Sequence, residues 1–201
     1  MSHRFAKARV LIAIFLLAGI GSSLGAQAAP SAEAQGLAEA RTLLEKYKDP
    51  LVAVHDGYFS TVACIEIPKA GGDGQLPYKA GGMGVHFFKP ATIGPTPDPA
   101  QPQVLIYEPV EGKLQLVAAE WFVPLATGVT EAPKLWGQTF DGPMPGHHPI
   151  MPEGLSHYDL HVWLFKDNPN GVFHATNPTV SCGNYDYRFA EDAPKHLHTG
   201  R

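Results

Sequence analysis

Along residues 31–48 apolar side chains recur every three or four positions. Leu37, Ala40, Leu44 and Tyr47 fall on one face, with Glu39, Arg41, Glu45 and Lys46 around the rest, and that spacing predicts a helix. Asp49-Pro50 then reads as a cap followed by proline in the first helical turn. A second short helix therefore carries Leu51, Val52 and Val54 before Gly57 ends it. Beyond residue 60 the pattern changes to short β-like runs at 61–67, 83–88, 104–108, 114–123 and 158–165, with shorter candidates at 172–173 and 179–182. Glycine- and proline-rich stretches at 71–74, 90–102 and 142–154 divide them. Glu111-Gly112, between two apolar runs, predicts a hairpin. The expected fold is mainly β, an antiparallel sandwich or barrel with one or two N-terminal helices. Its helical part covers 31–58 and its β-rich part 60–189, and a polar tail from 190 to 201 is expected to fray. No internal repeat is found.

The amino terminus has a different character. Arg4, Lys7 and Arg9 precede an uncharged apolar run of 11 residues, Val10 to Ile20, and Ala26-Gln27-Ala28 follows as an A-x-A cleavage site. This predicts a secretory signal over residues 1–28 and a single exported domain over 29–201. The run is shorter than the about 20 residues needed to span a bilayer. No second run approaches that length, so no integral membrane segment is expected after processing, and the choice between periplasm and medium stays open. The signal takes with it three of the 15 Lys and Arg and none of the 19 Asp and Glu, leaving a charge of −7. Such an acidic surface argues against nucleic acid as the partner. The two cysteines, Cys64 and Cys182, lack C-x-x-C spacing and in an oxidising compartment are expected to form one structural bridge.

Alternation along the strands marks the residues that do not fit a plain core. Glu120 shares a face with Leu116, Ala118 and Phe122, Glu108 with Val104 and Ile106, and His86 with Gly84 and Phe88. In the last long run, Tyr158, Leu160, Val162 and Leu164 make an apolar face. The opposite face carries His157, Asp159, His161, Trp163 and Phe165. A sheet apolar on both faces lies between two layers, and ionisable groups buried there need partners. If these faces converge, His86, Glu108, Glu120 and His161 form a pocket, with Asp159 as a ligand or as a support behind one. Imidazoles with carboxylates are the donor set of zinc and other divalent transition metals. Asp159 and His161 are close enough to address one site, whereas His157 lies twice as far from His161. His147-His148 sits in a loop whose adjacent side chains diverge, so one of the two joins the pocket only if the loop folds over its mouth. His174, His196 and His198 read as surface residues.

No nucleophile elbow of the G-x-S-x-G kind follows residue 28, no H-E-x-x-H is present, and Gly81-Gly82-Met83-Gly84 runs into a strand rather than a helix. Taken together, Met83-Gly84-Val85-His86, Leu105-Ile106-Tyr107-Glu108-Pro109, Ala119-Glu120-Trp121-Phe122-Val123-Pro124, Asp141-Gly142-Pro143-Met144-Pro145-Gly146-His147 and His157-Tyr158-Asp159-Leu160-His161-Val162-Trp163 resemble a family of exported bacterial proteins described as hypothetical. The resemblance covers roughly residues 80–182 and implies an exported bacterial protein, with no activity attached. Two readings of function remain. One is a metal-binding pocket built on the His/carboxylate cluster. The other is a non-catalytic binding or structural module, whose cluster is a hydrogen-bond network and whose aromatic residues, among them Trp121, Trp136, Trp163 and Phe88, line a ligand cavity.

Overall fold

The computed structural model of the chain describes residues 29–74, 77–147 and 151–197. The predicted signal, His148 and His198 lie outside the described residues. Helix α1 (Ala32–Leu44) starts where the Ser31 side chain accepts from the backbone N–H of Ala34, and it tightens into a 3-10 turn at Glu45–Lys48. Asp49 caps α2 (Pro50–His55) by accepting from Leu51 N–H, with Pro50 in the first turn. The strands are β1 (Phe59–Ile67), β2 (Gly81–Phe88), β3 (Val104–Val110), β4 (Lys113–Pro124), β5 (Lys134–Leu135), β6 (Gln138–Thr139), β7 (Asp141–Met144), β8 (His157–Val162) and β9 (Arg188–Ala190).

Seven strands form one curled sheet in the order β7-β8-β4-β3-β2-β1-β9. All its pairings are antiparallel except β1 with β9. β5 and β6 make a separate hairpin. The mainly β class with helices at the amino-terminal end is thus the one observed. Glu111 and Gly112 turn β3 into β4 with φ of 49° and 75°, the pair of positive values that a tight hairpin turn requires.

The N-terminal helices cover one face of the sheet. Leu44, Tyr47, Val85, Leu105, Trp121 and Leu160 meet in that core, where the Tyr107 hydroxyl donates to the Tyr47 carbonyl at 2.6 Å. Alternation leaves His86, Glu120, His157, Asp159 and His161 on the opposite face. Cys64 and Cys182 are joined, tying β1 to the segment before β9. Among the described residues, no helix is long and apolar enough to cross a membrane.

Three expectations need correction. Residues 172–173 and 179–182 lie in turns and irregular backbone rather than strands. β7 was hidden by its Gly142-Pro143, residues that argue against a strand interior. The tail does not fray as far as Leu197. After β9 the N–H of Glu191 bonds the Glu66 carbonyl (2.9 Å), that of His196 the Asp73 carboxylate (2.7 Å), and that of Leu197 the Pro143 carbonyl (2.7 Å).

Candidate metal centre

Register decides which polar residues meet. His161 on β8 lies directly opposite Glu120 on β4, and Asp159 opposite Phe122. Glu120 in turn faces Val104 of β3, while His86 of β2 faces Ile106, two residues further along. His86 therefore reaches Glu120 diagonally across β3. Glu120 Oε2 stands 3.6 Å from His86 Nε2 and 3.6 Å from His161 Nε2. All three side chains are buried, and their ligand atoms lie within 4.8 Å of one another, a group that could hold a metal ion. These separations are too long for hydrogen bonds. Two donors about 2.0–2.1 Å from one tetrahedral zinc stand roughly 3.4 Å apart, close to the spacing found.

The ring orientations favour the same use. His86 Nδ1 lies 3.2 Å from the Gly84 carbonyl and must donate to it, since a carbonyl only accepts. Its Nε2 lone pair is thereby aimed at Glu120. His157 repeats the device: Nδ1 donates to the Leu155 carbonyl at 3.1 Å, also two residues upstream, and Nε2 points to Asp159 Oδ2 at 3.6 Å. Behind His161, Nδ1 faces Asp159 Oδ1 at 3.8 Å. A ring fixed through one nitrogen so that the other is free to ligate is the usual arrangement around bound metals. Gly84 has φ of 99°, and a Cβ there would lie 2.7 Å from the Tyr107 carbonyl oxygen. Only glycine gives the turn that presents its carbonyl to His86.

Next to this group, His147, His157 and Asp159 also place one ligand atom each within 4.8 Å of one another. His147 reaches the cluster from the loop after β7, as the sequence allowed. Its Nδ1 lies 3.3 Å from Glu191 Oε2.

Both groups line a cavity of about 260 Å³ whose other walls include Phe59, Ile65, Met83, Phe88, Val104 and Leu155. Among the described residues that line it, none is a lysine or arginine. Burial, with the neighbouring His161 second, pushes His86 down to about 3, and burial brings His161 to about 4, so both rings are neutral near pH 7 with lone pairs to give. Burial and the adjacent Asp159 charge push Glu120 well above the usual carboxylate range. For Asp159 burial acts upward too, but His157, His161 and His147 outweigh it and hold the carboxyl below its ordinary value. For His147 burial acts downward, and Glu191 and Asp159 outweigh it and raise the ring.

Glu108 is not part of the centre. Its side chain is buried as expected, but its oxygens accept from Lys166 Nζ at 2.6 Å and from Ser181 N–H at 3.1 Å. The reason is register: Glu120 pairs with Val104, which puts Glu108 four residues away along β3, about 13 Å. Two histidines read as surface residues are also held inside. His174 is buried between the Thr176 and Pro77 carbonyls. His196 bridges Asp73 and Asp141, at 3.0 Å to each. The tryptophans fill cores rather than the cavity, where Phe59 and Phe88 are the aromatic contributors. Sequence reasoning missed Glu191, which lies in the polar tail with no local signal, and the role of Gly84, legible only once its carbonyl is seen to receive His86. Comparison with protein-family models, with curated proteins and with solved structures found no match.

Proposed function

We propose that the protein binds a divalent first-row transition cation such as zinc through His86, Glu120 and His161, with the Asp159 carboxylate lying behind the His161 ring. One observation carries this reading: three buried donors from three strands converge at metal-ligand spacing, too far apart to satisfy each other by hydrogen bonds. A hydrogen-bond network would bring such groups to about 2.7–3.2 Å, as it does for Glu108. Three protein ligands are also the complement of catalytic zinc sites, whose fourth position goes to water or substrate. Because the same side chains line the apolar cavity, a small, largely apolar molecule with one donor group would fit against the cation. The signal-like residues 1–28, the Cys64–Cys182 bridge and the resemblance to exported bacterial proteins support placement outside the cytoplasm.

The test is metal content per chain by mass spectrometry, on the full chain produced without a polyhistidine tag. His86→Ala and Glu120→Gln should each lower it by one equivalent relative to the unaltered protein. Metal content that neither substitution changes would overturn the assignment and leave the cavity as a binding pocket with a polar floor.

A further inference from the structure

We infer that His147, His157 and Asp159 form a second cation site beside the first, so that the polar floor of the cavity is a two-cation centre. The site has its own ligand atoms and stands or falls separately from the first. His157 carries the case. Its side chain is 1% exposed, its Nδ1 is committed to Leu155, and its Nε2 is buried without a hydrogen-bond partner among the described residues. The ring also packs on Phe122 with centroids 4.5 Å apart. The unsatisfied nitrogen faces Asp159 Oδ2, while the other oxygen of that carboxyl faces His161. Asp159 thus divides its two oxygens between the sites.

His147 completes the group. Glu191 beside its Nδ1 is the carboxylate support that holds ligating imidazoles elsewhere. The His147 ring and Asp159 Oδ2 are the groups that converge with the unsatisfied His157 Nε2 on one point. A cation answers all three. Two imidazoles and one carboxylate select zinc or a neighbouring transition ion over calcium or magnesium, which prefer all-oxygen surroundings.

The test is titration of the metal-stripped full chain with zinc chloride against a chromophoric chelator, with thermal melting of each metal-free variant as a folding control. Two zinc ions per chain are expected for the unaltered protein, one for His147→Ala, one for His86→Ala and none for the double variant. One zinc per chain that His147→Ala retains, or two that it retains, would overturn the second site. One zinc lost in His147→Ala but kept in His86→Ala would support this site and remove the first. No zinc at all would remove both. Should His147→Ala fail to fold, Glu191→Gln takes its place, with the second zinc weakened by about 10–100-fold and the first unchanged. Two unweakened zinc ions in Glu191→Gln would then overturn the proposal.

Discussion

Both ring nitrogens of His161 are buried without a hydrogen-bond partner among the described residues, a condition that costs about 1–3 kcal/mol for each unsatisfied group. A cation on Nε2 would relieve one and sharpen the other, since a metal-bound imidazole is a stronger N–H donor towards Asp159. Glu108 shows the opposite solution, a buried carboxylate satisfied within the protein. Lys166→Met should therefore destabilise the fold by about 2 kcal/mol, read as a lowered denaturation midpoint, while leaving metal content unchanged. A loss of metal in that variant would place Glu108 back in the centre. Alternation alone picked out Glu120, Asp159 and His161, because residues two apart on a strand share a face whatever the rest of the fold does. It could not separate Glu108 from them. Distance between strands depends on register, and a sequence read strand by strand does not state register.

Among the elements, β2 illustrates how backbone builds the centre. Gly84 bends the strand, and its carbonyl fixes the ring two residues later. Opposite it, β1 departs from regular pairing between Ser60 and Cys64, with Val62 at φ of 68°, and Thr61 donates to the His86 carbonyl at 3.1 Å. Such bulges commonly re-aim side chains beside functional sites. Gly84→Ala should cost about 2 kcal/mol or more through its positive φ and its overlap with β3. It should also weaken zinc at the His86 group by about 10–100-fold in a chelator competition. Unchanged zinc affinity in a folded Gly84→Ala protein would separate the glycine from the centre. The long strands and both helices were legible because their periodicity is local. β7 and β9 were not: one contains Gly142-Pro143, and the other is three residues long and exists only because β1 offers an edge.

For the molecule as a whole, the Cys64–Cys182 bridge spans 118 residues. It should contribute about 2–5 kcal/mol, mainly by restricting the unfolded chain. A Cys64→Ser, Cys182→Ser double variant should melt at a clearly lower temperature, and an unchanged midpoint would show that the bridge adds nothing. The cross-link has a second consequence. Cys182 and Glu191 both follow every proposed ligand in the chain, and the segment between them runs from the sulfur bridge along β1 to the side of His147. In chain order the wall behind that histidine is the last part of the pocket to be synthesised, and the bridge together with the β1–β9 pairing tethers it. If the proposed sites are filled, the His147 group would be the later of the two to gain its full surroundings, since its supporting carboxylate follows the strands that carry His86, Glu120 and His161.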